Sequence, residues 1–82
     1  MRTPIIAGNW KMYKTPQEAV DFVNALKEPL KDLTAAERVV CPPYVALPGV
    51  AEALKGTEIA VGAQDVHWEN EGAYTSQIAP GM

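Results

Sequence analysis

The sequence is short of the features that several classes of protein require. Its 82 residues contain one cysteine, Cys41, which excludes an intrachain disulfide and favours a reducing compartment. No run of ~18 apolar residues occurs, so no membrane-spanning helix is expected. The net charge is −3, and without a basic cluster nucleic acids and anionic membranes are poor partners. Polar residues return by Asn9, too soon for a signal-peptide core, and a soluble cytoplasmic protein is expected.

Motifs for several familiar chemistries are also missing. With a single histidine and a single cysteine the chain cannot build a zinc cluster. Residues 8–11 match neither glycine-rich phosphate motif, and Ser76 has no evident base nearby in the sequence. We therefore expect neither metal nor cofactor. The other reactive side chains are predicted to be ordinary: an inert buried thiol at Cys41, a surface imidazole at His67, and solvated carboxylates at Glu69 and Glu71.

Hydrophobic periodicity predicts the element order β-α-β-α-β. The predicted elements are strands at about 4–9, 38–42 and 59–64, helices at about 16–30 and 45–55, and a long loop at about 65–78. Strands separated by helices pair in parallel through right-handed crossovers. The sequence therefore predicts an α/β protein of one domain, with the first strand covered on both faces because residues 4–8 are apolar on both sets of alternating positions.

The first helix has the clearest local signals. Thr15 is a candidate N-cap, Pro16 suits the first helical position, and Glu18 three residues after Thr15 completes a capping-box pattern. The apolar positions recur with helical spacing on one face: Ala19, Phe22, Val23, Leu26 and Leu30. Pro29 is expected to end or kink the helix.

Small residues mark one face of two strands. Ala60, Gly62 and Gln64 alternate along the third strand, and Ala7 leads to Asn9 and Lys11 on the first. Small side chains turned to one side suit the tight interior of a closed barrel, although an open doubly wound sheet also fits the pattern.

Asn9 and Lys11 are the strongest candidates for a site. If the first strand continues to residue 11, both side chains project to the same side, placing an amide beside an ammonium. In parallel α/β folds the carboxyl ends of the strands hold the ligand. This pair predicts an anion site, although a turn asparagine and a solvated lysine would give the same spacing.

Four motifs then resemble the triosephosphate isomerase family, in its order and spacing. They are Gly8-Asn9-Trp10-Lys11-Met12, Cys41-Pro42-Pro43, Gly62-Ala63-Gln64-Asp65 and Glu71-Gly72-Ala73-Tyr74-Thr75. The resemblance implies the N-terminal third of a (β/α)₈ TIM barrel, incomplete in this chain because a whole barrel needs about 250 residues. It also implies a glycolytic and gluconeogenic isomerase that interconverts dihydroxyacetone phosphate and D-glyceraldehyde 3-phosphate through an enediolate.

The resemblance also implies roles for individual residues. Lys11 would be the catalytic electrostatic group, Asn9 and Lys11 would bind the triose phosphate, and Gln64 would support them. In the family the long loop enters the other subunit of a homodimer, where Tyr74 would pack in the interface and Thr75 would approach the partner's site.

The rest of the family's machinery is expected outside this chain. The family uses a glutamate base, a neutral histidine and a closing loop, and the resemblance assigns all three to later segments, so His67 is not that histidine. The 82 residues are therefore expected to be inactive alone. A non-catalytic barrel fragment that self-associates or complements the remainder stays an alternative, and a generic nucleotide-binding module is disfavoured by the missing glycine-rich loop.

Overall fold

The three strands form one parallel sheet with the second strand in the middle, in a computed structural model that describes residues 2–82. The α/β class and the predicted order are confirmed. In chain order the elements are β1 (Ile5–Asn9), α1 (Pro16–Leu30), β2 (Glu37–Cys41), a 3₁₀ turn (Tyr44–Ala46), α2 (Leu47–Ala53) and β3 (Ala60–Val61).

Helix α1 begins where its capping residues predict. The backbone N–H of Thr15 donates to the Glu18 carboxylate at 2.9 Å, and the Glu18 N–H donates to the Thr15 hydroxyl at 3.3 Å. These reciprocal bonds satisfy two donors that a helix N-terminus otherwise leaves free. At the other end, the Arg38 guanidinium of β2 donates to the carbonyl of Leu30 and to the Glu58 carboxylate. Both ends of α1 are thus fixed by side chains.

The strand register sorts the sheet into two faces. Gly8, Val40 and Val61 form a row on the face that packs against the helices, which we call the covered face, and Gly8 at the sheet edge is the exposed end of that row. Its core comprises Ala19, Val23, Val40, Ala46, Val50, Leu54 and Ile59. The alternate row of Ala7, Val39 and Ala60 lies on the opposite side, which we call the bare face. The predicted division into a helix-packing face and a small-residue face is present.

β1 is not covered on both faces as predicted. All five of its residues are exposed, and Ile5 retains 61% of its surface. The reason is its place in the sheet, because β1 is an edge strand that pairs with β2 alone and borders the bare face. An apolar strand is predicted to be buried once every neighbouring element is in place. These 82 residues provide only some of the neighbours of β1, and the strand therefore remains exposed.

The third strand and second helix are shorter than predicted. β3 covers residues 60–61 rather than 59–64, because the Ile59 N–H donates to the Thr57 hydroxyl and β2 ends before the prolines at 42–43. One further ladder bond joins Gly62 N to Val40 O at 2.9 Å. The predicted helix at 45–55 divides into the 3₁₀ turn and α2, since Pro48 in the first turn has no N–H to continue an α-helical ladder.

The chain exposes more surface than a closed domain of its size. Its accessible surface is 6166 Å² at a mass of 8.9 kDa, whereas folded monomers of that mass expose about 4,800 Å². Its radius of gyration is 14.0 Å, against about 11.7 Å for a compact domain of this length. The excess reflects the bare face and the open strand edges. No helix in the described part of the chain is long and apolar enough to span a membrane.

Candidate active site

The candidate site lies at the carboxyl edge of the sheet, where β1 ends at Asn9. The backbone N–H of Trp10 still donates to Cys41 O at 3.1 Å, which holds this end of β1 against β2. Beyond it the chain leaves the sheet. The predicted location of the site at this edge therefore agrees with the topology.

Lys11 does not continue the strand, which corrects the predicted geometry. Its φ is +58°, a left-handed conformation that is uncommon for residues other than glycine. The Asn9 side-chain oxygen accepts a hydrogen bond from the Lys11 N–H at 2.9 Å. The pair is therefore linked by a local turn rather than by alternation along a strand, because an asparagine side chain readily bonds to a backbone N–H two residues ahead.

Gln64 connects this turn to the neighbouring strand. Its side-chain nitrogen donates to Lys11 O at 3.0 Å and to Cys41 O at 2.8 Å. Both protons of one amide thus join the end of β1 to the end of β2. Since the Lys11 N–H is bonded to Asn9, both backbone polar groups of Lys11 have partners, and these bonds hold the left-handed conformation that would otherwise be strained.

An open cavity of about 580 Å³ lies beside this arrangement. Its wall includes Lys11, Gln64 and Asp65 from the site edge and Ser76 and Ile78 from the long loop. The volume lies within the range of small-molecule sites, which is about 300–1,000 Å³. No residue within 2–82 belongs to a group of three or more histidine, cysteine, aspartate or glutamate side chains placed to hold a metal ion.

The long loop folds back on itself. The His67 N–H donates to Ile78 O at 2.8 Å and closes its base, while the Gln77 N–H donates to Tyr74 O at 3.0 Å. Tyr74 and Thr75 are exposed, and neither lines the cavity beside Lys11. The structure thus gathers Asn9, Lys11 and Gln64 at one edge and leaves the two predicted interface residues at the surface of the loop.

The prediction of a surface histidine is wrong. His67 is half-buried, with its ring centroid 4.4 Å from that of Trp68 and 4.3 Å from that of Tyr74. Its Nε2 is buried and has no hydrogen-bond partner in the described part of the chain. The loop lacks helical or strand periodicity, and so nothing in the sequence indicated that residues 67 and 74 meet.

Comparison with known proteins identifies close relatives of these residues. A sequence profile described as triosephosphate isomerase matches residues 4–82. The triosephosphate isomerase of Carboxydothermus hydrogenoformans is 56% identical over 82 residues, covering 100% of this chain and 33% of the relative. That of Clostridium botulinum is 58% identical with the same coverage. The chain therefore spans about a third of the length of the curated relatives it matches.

A solved structure shows the same arrangement of elements. The crystal structure of triosephosphate isomerase from Bartonella henselae has a TM-score of 0.82 and 34% sequence identity with this chain. The match covers 94% of this chain and 31% of that protein. The likeness confirms the fold prediction of part of a (β/α)₈ barrel.

Proposed function

Because this chain belongs to the triosephosphate isomerase family, we propose that its 82 residues supply the substrate-binding and electrophilic part of that enzyme's active site. The assembled enzyme would interconvert dihydroxyacetone phosphate and D-glyceraldehyde 3-phosphate, as part of glycolysis and gluconeogenesis in the cytoplasm. One observation carries the proposal. Gln64 donates to the carbonyls of Lys11 and Cys41 and so fixes a lysine at the carboxyl edge of the sheet, beside an open cavity.

Lys11 would act electrostatically. Proton transfer in this reaction places negative charge on a substrate oxygen, and the substrate already carries a phosphate. An ammonium held in a fixed position stabilises both charges without reorganising as the charge develops. The hydrogen bonds on both sides of the Lys11 backbone support this role, because they fix the point from which the side chain projects.

Asn9 and Gln64 would keep that lysine in place. Asn9 accepts from the Lys11 N–H, and Gln64 donates to the Lys11 carbonyl. Asn9 would in addition contact the substrate, whereas Gln64 would act only through its neighbours. The base and the neutral histidine that the family uses would come from the other two thirds of the enzyme, and we therefore propose that these residues are inactive alone.

The partner of the assembled enzyme would be a second copy. We propose that the loop at 65–78 enters that copy, with Tyr74 in the interface and Thr75 approaching the partner's site. The exposed apolar side chains near the site support this proposal, since 94% of Met12 and 72% of Tyr13 remain accessible. Exposed apolar and aromatic side chains beside a site are typical of an interaction surface.

The test uses an assembled enzyme, defined here as a chimera in which this chain replaces the matching segment of the Carboxydothermus hydrogenoformans triosephosphate isomerase. In it, Lys11→Met should lower kcat/KM by ~10²–10³ or more, because it removes the charge that stabilises the transition state. Steady-state isomerase kinetics measure the effect. The matched control is Lys14→Met, which removes another lysine with a positive φ three residues further along the chain and should change kcat/KM less than about threefold. Near-normal turnover of Lys11→Met would overturn the proposed role.

The exposed surface favours a second candidate, a non-catalytic fragment that associates with itself or with a barrel remainder. Unpaired strand edges and a bare apolar face invite pairing. In this case the isolated 82 residues should sediment as oligomers, with an unfolding midpoint that depends on concentration. A monomer with a sharp, reversible unfolding transition would exclude this candidate.

A further inference from the structure

The long loop contains an ordered cluster of rings that the proposed function does not use. His67 stacks on Trp68 with 30° between the ring planes and meets Tyr74 at 44°. Trp68 faces outward with 81% of its surface accessible, and Tyr74 retains 48%. The imidazole is therefore the inner member of the three rings, and Tyr74 rests on it.

Tyr74 also lies close to the backbone of Gly72. Gly72 has a φ of +149°, and a Cβ at this position would lie 2.5 Å from Cε2 of Tyr74. The tyrosine ring thus contacts both the backbone of Gly72 and the ring of His67. Because a side chain at residue 72 would overlap the tyrosine ring, this position of the ring requires glycine there.

The imidazole of His67 holds its neighbours through ring contacts rather than through hydrogen bonds of its side chain. Its Nε2 is buried without a hydrogen-bond partner in the part of the chain that the structure describes. A ring of similar size without nitrogen atoms would keep both ring contacts and remove an unpaired polar atom. The backbone N–H of His67 donates to the Ile78 carbonyl and closes the base of the loop. His67 therefore fixes both the base of the loop and the position of the Tyr74 ring.

We propose that His67 is a positioning residue for dimer formation, which holds Tyr74, and with it the adjacent Thr75, in the binding conformation before the second copy arrives. This inference rests on the proposed function, in which that loop enters a second copy. A pre-formed loop docks as a rigid body and does not lose the conformational entropy of ordering during association.

The test is the dimer dissociation constant of the assembled enzyme, obtained from the dependence of specific activity on concentration and from sedimentation. His67→Ala should raise Kd by roughly 10- to 100-fold, the range that two lost ring contacts allow. At concentrations that restore the dimer, its kcat should return to within about twofold of the parent. His67→Phe should keep Kd within about threefold of the parent, because it preserves both contacts.

A second variant disturbs the position of the Tyr74 ring from residue 72 rather than from residue 67. Gly72→Ala should raise Kd in the same direction without changing His67, because the added Cβ displaces the Tyr74 ring. An unchanged Kd for His67→Ala, or a Kd for His67→Phe as high as that of His67→Ala, would overturn the inference while leaving the isomerase assignment intact. A parent chimera without isomerase activity, or a Lys11→Met variant with normal turnover, would instead count against the proposed function.

Discussion

The two faces of the sheet differ in how much of their packing the 82 residues supply. On the covered face, Val40 is buried beneath helices that follow β1 and β2 in the chain. On the bare face, Ala7 and Ala60 are exposed although they belong to the neighbouring row of the same strands. A βαβ unit thus completes its outer layer from local sequence, whereas the inside of a barrel requires strands that lie elsewhere. The packing of the covered face is therefore present in the 82 residues alone, whereas the packing of the bare face requires the assembled enzyme.

The largest expected effect comes from placing a charge on the bare face. Val39→Lys should prevent the assembled enzyme from folding, because a barrel interior is filled with side chains and an unpaired charge there has no partner. In the isolated chain the same change should be tolerated and should weaken self-association. Expression, isomerase activity and sedimentation measure the two outcomes.

Thr34→Lys is the matched control for that experiment, since it adds the same charge at an exposed loop position. It should leave the assembled enzyme folded and active. If Val39→Lys gave an active enzyme, the prediction that this face of the sheet lines a closed barrel interior would be wrong.

A buried leucine on the covered side should have the next largest effect. Leu54 retains 4% of its surface, and Leu54→Ala should lower the free energy of unfolding by about 2–5 kcal/mol through lost burial and a residual cavity. Ile5→Ala, at an exposed position, should change it by about 0.5 kcal/mol or less in the isolated chain. Urea denaturation measures both, in the Val39→Lys background if association obscures the transition. Equal effects in the isolated chain would contradict the distinction between the faces.

The smallest expected effect concerns the helix that covers the sheet. The Thr15 backbone N–H, followed by the Thr15 hydroxyl, lowers the pKa of Glu18 below its usual value of 4.5. Since the folded state favours the carboxylate, this contribution to stability is complete above the ordinary pKa and is lost as the pH falls below it. Thermal unfolding of the assembled enzyme from about pH 6 to about pH 3 should therefore show a gap between the parent and Glu18→Gln that narrows with acid. A gap that stays constant across this range would exclude the carboxylate as its source.

Local chemistry explains which parts of the structure were predictable. The start of α1 follows from the capping signals of Thr15, Pro16 and Glu18, which act within one turn and do not depend on distant residues. The exposure of β1 could not be predicted in the same way, because it depends on which neighbours the chain provides. The shortness of β3 also depends on its neighbour, since its ladder with β2 comprises only the pairs Val39–Ala60 and Val40–Val61.

The site shows the same division. Asn9, Lys11 and Gln64 were predicted as a group, and the structure brings them together, while their functional roles remain predictions. The left-handed turn at Lys11 was not predicted, because the first strand was assumed to continue to residue 11. The contact between the rings of His67 and Tyr74 was not predicted either, because contacts within an irregular loop leave no periodic pattern in the sequence.

The bond from Gln64 to Lys11 has a consequence for the order of events during synthesis. The two residues are 53 positions apart, and a ribosome that adds about 5–20 residues per second needs roughly 3–10 s to cover that distance. Throughout this interval the carbonyl of Lys11 lacks the amide that will hold it. The lysine at the centre of the proposed chemistry is therefore translated several seconds before the residue that fixes its backbone.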